Sequence, residues 1–270
     1  MEVKRIALTG LSNTRDLGEI RSDAGPRVRG RSLIRSGALL RGTEADLSVL
    51  YGDCGVRTVV DLRTDIEAEN EPDPVWPGWR VLRLPLLDDS FFGIARDRYS
   101  VEAWLNMFRT SDAAPAEIFY EMYRKLVFDA HSVEALRSFF RILLENEDGA
   151  VLWHCSAGKD RAGIAAALTL LALGFPEDAV SFDYQQTAVF TAEEIKAVCA
   201  MANVRSDDPR MREATAVLMG VKPWYIPRLC DEMRGRYGST ENYFYENGIL
   251  SEKSLSALRQ KYLIPGENET

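Results

Sequence analysis

Short apolar runs set off by Gly, Pro and charged residues mark the first ninety residues, and one more returns near residue 150. Ile6-Ala7-Leu8, Leu33-Ile34, Val56 to Leu62, Val81 to Leu87 and Ala150 to His154 have the length and composition of buried strands. Between and after them the period changes. Thr43 is placed to cap a helix running to Tyr51, with Gly52 and Gly55 beyond it. Phe119, Met122 and Leu126 fall at i, i+3 and i+7, and Val133, Leu136, Phe140 and Leu143 keep one face until Gly149. Both segments read as amphipathic helices turned to the core. Another helix runs through Ile164, Leu168 and Leu171 to Gly174, and Pro176 stops it. Beyond it the pattern is helical: Thr191 to Met201, Pro209 to Met219, Pro223 to Arg236 and Ser251 to Leu263.

Strands alternating with helices predict an α/β fold with a mainly parallel central sheet and helices on both faces. No repeat, low-complexity tract or linker interrupts residues 1–270, so a single domain is expected. In such sheets ligands bind at the carboxyl ends of the strands. Arg63 and Cys155 each follow a predicted strand, which puts both at one rim. Segments 88–115 and 190–245 are the candidates for a helical cover. The first carries Phe91, Phe92, Tyr99 and Trp104, and the second Trp224, Tyr225, Tyr243, Phe244 and Tyr245. Aromatics of this kind more often belong to the core than to a binding surface.

The strand at Ala150–His154 leads into Cys155-Ser156-Ala157-Gly158-Lys159-Asp160-Arg161-Ala162. A loop that closes on itself and enters a helix offers converging N–H donors and the positive end of the helix dipole, which suits a tetrahedral anion. Ser156, Ala157, Gly158, Lys159 and Ala162 would line this cradle. Gly158 suits a left-handed turn, and Arg161 supplies a planar fork for two phosphate oxygens. Thiolates are stabilised beside cations and helix N-termini, so Cys155 is the candidate phosphoryl acceptor. The reaction would proceed through a phosphocysteine and its hydrolysis. Cys54, Cys199 and Cys230 lack such a setting and read as small buried hydrophobes.

Asp160 is the first candidate for the general acid that protonates the leaving oxygen. The alternative for it is a helix-start carboxylate that only complements the dipole. Asp61 is the second candidate, or else it pairs with an arginine and orients the loop; Asp88 and Asp89 are the third. Lys159 is either a second cation for substrates with extra negative charge or an outward, solvated lysine. His154 and Arg63 are expected to support the site, His154 as a hydrogen-bond partner of Cys155 or of the loop backbone. Arg15, Asp16 and Arg35 are expected to be ion pairs bracing the rim.

Composition narrows the field. Hydrophobic residues make up 46% and charged residues 27%, as in ordinary globular chains. A net charge of −8 argues against a nucleic-acid or polybasic membrane binder. No apolar run approaches the ~20 residues of a membrane span, and Met-Glu-Val-Lys-Arg does not open a signal peptide. Four scattered cysteines form no disulfide framework, which suits a reducing cytoplasm, with export by a non-standard route left open. With two histidines and no CxxC, neither a metal nor another cofactor is expected. Oligomeric state is not legible.

The loop His154-Cys155-x-x-Gly158-Lys159-Asp160-Arg161 resembles that of the atypical bacterial protein tyrosine phosphatases. Asn13-Thr14-Arg15-Asp16-Leu17-Gly18 is similar to that family's N-x-R-D-L-G segment. Leu33 to Leu39, Val59-Val60-Asp61-Leu62-Arg63 and the Ser251–Leu263 helix are similar to its later pieces, in the same order. Two positions depart. Ala162 stands where the family usually has Ser or Thr, whose hydroxyl bonds the cysteine sulfur, and Glu19 stands where a second glycine is usual. The resemblance implies a cysteine-dependent phosphatase of phosphotyrosine proteins, with phosphoserine, phosphothreonine or phosphoinositides as further substrates. Ala162 implies slow hydrolysis of the phosphoenzyme in the second step. The alternatives are a phosphate-binding pseudophosphatase and a rhodanese-like sulfurtransferase, whose loop is typically one residue shorter.

Overall fold

The structure, a computed structural model, describes residues 3–20, 27–88, 107–205 and 208–264, with the backbone alone at 198–199 and 201–205. Five strands form the central sheet: β1 (Arg15–Asp16), β3 (Leu33–Ser36), β4 (Val56–Asp61), β5 (Arg80–Arg83) and β6 (Ala150–His154). Their order is β1-β3-β6-β4-β5. β1 runs antiparallel to β3 and every other pairing is parallel. A separate ribbon joins β2 (Arg27–Val28) to β7 (Leu263–Ile264).

Alternation along the strands divides the core. Leu33, Val60, Val151 and Trp153 enter the larger apolar cluster, whereas Ile34, Val59, Ala150 and Leu152 enter the smaller one on the opposite face. Parallel strands buried on both faces read as continuous apolar runs, and β6 is buried from end to end. Helix α1 (Glu44–Gly52) brings Leu47 and Leu50 to the smaller cluster. Its start is fixed by a capping box between Thr43 and Asp46. The larger cluster is filled by α3 (Pro115–Phe128), α4 (Ala130–Glu145) and α5 (Arg161–Ala172). Every residue of α5 from Ala162 to Ala172 is buried. The helical half continues as α6 (Glu177–Phe190), α7 (Ala192–Arg205), α8 (Pro209–Met219), α9 (Tyr225–Tyr237), α10 (Thr240–Glu246) and α11 (Glu252–Tyr262). The expected α/β architecture is thus present, with helices on both faces.

Trp153 links the sheet to the loop that follows it. Its ring meets Phe139 edge to face at 5.4 Å, and its Nε1 donates to the Ala162 carbonyl at 3.1 Å. Truncating so buried an aromatic typically costs about 3–5 kcal/mol, and here it would also release the first turn of α5.

Several elements depart from the pattern. Ile6–Leu8 forms no strand: Arg5 makes a single bridge to Arg15, and Leu8 is buried in the smaller cluster. β5 ends at Arg83, where Pro85 removes a ladder donor, and Leu86 and Leu87 turn into the core. Helices α2 (Asp65–Asn70), α6 and α10 carry no clear apolar stripe, and none was expected from the sequence. In α6 the buried face includes Ser181, Asp183 and Thr187, so its amphipathic period is blurred by buried polar residues. The aromatics Phe91, Phe92, Tyr99 and Trp104 lie outside the described residues, as do Asp89 and the Cys199 side chain. Tyr225, Tyr243 and Phe244 are core residues.

Candidate active site

β6 ends at His154, α5 begins at Arg161, and the turn between them is held from outside. Ser156 O accepts from Ala38 N at 3.0 Å. Asn13 Nδ2 donates to the carbonyls of Ala157 and Gly158, both at 3.1 Å. Arg35 Nη2 donates to those of Gly158 and Lys159, at 2.9 and 3.3 Å. In a trans peptide the N–H points opposite to the C=O. Four carbonyls drawn outward therefore turn the amides of residues 157–160 toward the centre of the loop. Gly158 has φ +68°, and a Cβ there would lie 2.6 Å from Gly37 N and from the Ser36 carbonyl. Only glycine closes the loop this tightly against β3. Cys155 is buried at the base.

The braces are themselves braced. Arg15 Nε and Arg35 Nη1 bond the two oxygens of Asp183 on α6, at 2.7 and 2.6 Å, and all three side chains are buried. Arg15 Nη1 also holds Asn13 Oδ1 at 2.6 Å. Burial works against the Asp183 carboxylate, but the two arginines outweigh it and hold its pKa below the ordinary range. Arg15 and Arg35 are thus the expected rim ion pairs. Asp16 is not a third. It caps the following turn, accepting from Gly18 N at 2.9 Å and Arg31 N at 2.5 Å.

Arg161 meets an acid that sequence reasoning missed. Glu67, on α2, takes both Nη atoms of Arg161, with Nη2 at 2.8 Å from Oε1. Ser156 Oγ donates to the same Oε1 at 2.6 Å and accepts from Nη2 at 3.2 Å. The Nε side of the fork is not used by this pair. Glu67 is aimed by its own capping box, since it also accepts from the Thr64 amide at 3.0 Å. The spacing Thr64-x-x-Glu67, just after Arg63, was the available signal. Burial opposes ionisation of Glu67, yet Arg161 and Ser156 overcome it and bring the carboxyl down to about 2.

Asp160 sits at the N-cap of α5 but makes no capping hydrogen bond. Its Oδ1 accepts from Tyr123 of α3, and its Oδ2 lies 3.5 Å from Lys159 Nζ. Lys159 is neither solvated nor free to meet a substrate. It is buried, donates to the carbonyls of Leu218 and Gly220 at 2.5 and 2.9 Å, and lies 5.0 Å above the Phe119 ring. The open carbonyls at the end of α8 explain this, since a lysine there satisfies orphan acceptors.

Asp61 and Arg63 form a buried knot beside the loop. Arg63 bonds Asp61 through Nε and Nη2, each at 2.9 Å, and Asp73 through Nη2 at 2.8 Å. His154 Nδ1 faces the Cys155 carbonyl at 3.3 Å, and Nε2 lies 2.9 Å from Asp73 Oδ2 outside hydrogen-bonding geometry. Asp61 thus pairs with an arginine, and His154 contacts the backbone where the loop begins. Asp61, Asp73 and His154 bring ligand atoms within 4.8 Å of one another. Arg63 pairs with both carboxylates and Arg83 Nε lies 3.8 Å from Asp61 Oδ2, so two guanidiniums face the two acids.

The sequence matches a family model described as the tyrosine phosphatase family over residues 6–264. Three relatives agree. A provisionally named tyrosine-protein phosphatase of Cupriavidus necator is 29% identical over 96% of this chain and 88% of its own length. A tyrosine-protein phosphatase of Nostoc commune is 30% identical over 84% of this chain and 73% of its own. A triple specificity protein phosphatase of Mycobacterium tuberculosis is 27% identical over 93% and 96%. With a thiol, a glycine-closed cradle and a guanidinium at one strand end, and with a family match along nearly its whole length, the chain belongs to the tyrosine phosphatase family.

Proposed function

We propose that the chain hydrolyses phosphate monoesters of tyrosine-phosphorylated proteins through a phosphocysteine. The observation that carries this reading is the Cys155–Arg161 loop, with its carbonyls drawn outward and Cys155 at its base. Inward amides of Ala157 to Asp160, the Ala162 turn of α5 and the Arg161 guanidinium, through the Nε side that Glu67 leaves, bind the phosphoryl oxygens. In the first step the Cys155 thiolate forms an S–P bond as the ester P–O bond breaks, and protonated Asp160 gives its proton to the departing oxygen. In the second, water attacks phosphorus, the P–S bond breaks, and the Asp160 carboxylate takes a proton from that water. Inorganic phosphate leaves and the thiolate is restored. Asp61, Arg63 and His154 keep the strand end and the Cys155 carbonyl in place.

Phosphoserine, phosphothreonine and phosphoinositides are further substrates on this reading, supported by the triple specificity of the mycobacterial relative. Lys159 lends no support to a polyanionic substrate, because its charge is spent on Leu218 and Gly220. The chain works as one domain in a reducing cytoplasm, where a free thiol persists. No helix among the described residues is long and apolar enough to cross a membrane.

Aryl phosphate hydrolysis by the wild type and by Cys155→Ser, with vanadate as inhibitor, tests the assignment. Turnover abolished by the substitution is the expected result. Phosphate binding without turnover by the wild type would overturn it in favour of a pseudophosphatase, and sulfur transfer from thiosulfate without phosphate release would point to the rhodanese chemistry. A panel of phosphopeptides and inositol lipids then ranks the substrates.

A further inference from the structure

Among the described residues four buried phenols have partners away from the phosphate loop, and of these Tyr120 donates to Glu232 Oε1 at 2.9 Å. Tyr225, Tyr243 and Tyr262 donate to main-chain carbonyls of Ala116, Val127 and Leu143. Tyr123 instead ends on a side chain of the phosphate loop, the Oδ1 of Asp160, and its hydroxyl is 2.6 Å from that of Tyr184. Tyr123 and Tyr184 are fully buried, on α3 and α6 respectively. The Tyr123 ring is clamped by Tyr225 at 4.6 Å and by the edge-on ring of Tyr184 at 6.0 Å. A carboxylate only accepts, which fixes the direction of the chain: Tyr184 donates to Tyr123 and Tyr123 donates to Asp160. Burial, followed by the charge of Asp160, pushes the Tyr123 phenol well above its ordinary value, so the donor keeps its proton.

We propose that Tyr123, backed by Tyr184, is the positioning residue of the acid–base carboxylate: it occupies Oδ1 of Asp160, while Oδ2, which has Lys159 Nζ 3.5 Å away, exchanges the proton with substrate. The inference rests on the assignment of Asp160 as general acid and base. When Oδ2 passes its proton to the leaving oxygen, as P–O breaks and S–P forms, negative charge appears on the carboxylate. A rigid O–H already aligned with Oδ1 meets that charge without reorganisation, and the Tyr184 bond polarises it further. In the second step the same donor holds the carboxylate while Oδ2 takes the proton of water.

Tyr123→Phe removes the hydroxyl and keeps the ring. Second-order rates are compared for an alkyl phosphate and for p-nitrophenyl phosphate, with the phosphoenzyme burst used to count active molecules. General acid catalysis contributes about 10²–10⁴-fold, and loss of its positioning should remove roughly 10–100-fold on the alkyl ester and less than about threefold on the aryl ester. Tyr184→Phe should move both the same way by a smaller factor. Adding Tyr123→Phe to Asp160→Asn should cause no further selective loss. An equal loss on both substrates in Tyr123→Phe, beside a selective loss in Asp160→Asn, would overturn the role of Tyr123 alone. Equal losses in Asp160→Asn would overturn the acid assignment itself. If Tyr123→Phe fails to fold, the leaving-group comparison on Tyr184→Phe decides, and an unselective loss there refutes the relay.

Discussion

Replacing Glu67 by Gln keeps the shape that faces Arg161 and removes the charge. The carboxyl is held at about 2 against an ordinary 4.5, because Arg161 and Ser156 outweigh its burial. At about 1.4 kcal/mol per pH unit, that difference is worth roughly 3 kcal/mol of stability at neutral pH. The side chain is only 18% exposed, so solvent screening trims this figure little. Because the folded-state value is depressed, the contribution is complete above pH 4.5 and disappears as pH falls through about 2. By about pH 3 roughly half should remain. For a chain of this size about 3 kcal/mol corresponds to a fall in Tm of about 6–12 °C. Thermal melting of wild type and Glu67→Gln, followed by circular dichroism at pH 7 and near pH 3, measures both numbers. Other carboxylates titrate alike in the two proteins, so the gap between them isolates Glu67. Melting within about 2 °C of wild type at pH 7, or a gap that does not close in acid, would refute the reasoning.

Gly158→Ala places a Cβ 2.6 Å from Gly37 N at φ +68°; strain of about 1–3 kcal/mol should spread the loop, with vanadate affinity falling while the overall fold persists by circular dichroism. Asp183→Asn leaves Arg15 and Arg35 buried against a neutral partner, and urea unfolding should show a loss of about 3–5 kcal/mol. Ala162→Ser supplies the hydroxyl that the resemblance leads one to expect at this position and should speed phosphocysteine hydrolysis; in rapid-quench experiments, an unchanged steady-state rate with an unchanged burst would count against it.

How far the site could be read from the chain depended on where its parts lie. Cys155 to Arg161 are contiguous, and a strand-loop-helix of that composition has few other uses. Glu67, Asn13 and Asp183 reach the site across 94, 145 and 168 residues of sequence, counted to Arg161, Gly158 and Arg15. No local period announces such contacts. Asn13 stood inside a segment whose resemblance was visible, but its grip on two loop carbonyls depends on how β1 and β3 are juxtaposed. Lys159 was misread because its carbonyl partners on α8 are 59 and 61 residues away, and a lysine in a phosphate loop is naturally assigned to the ligand. Tyr123 lies on the helix that Phe119, Met122 and Leu126 mark, yet that stripe says nothing of where its hydroxyl ends.

The outward grip on the loop also ties the nucleophile to a residue made after it. Asn13 and Arg35 are made early, whereas Asp183, which orients both arginines, is made well after the nucleophile. A nascent chain that has exposed Cys155 but not yet α6 holds a thiol without its finished cradle. Until α6 is made, Arg15 and Arg35 lack the carboxylate that orients them, and the loop that Arg35 holds lacks its finished brace.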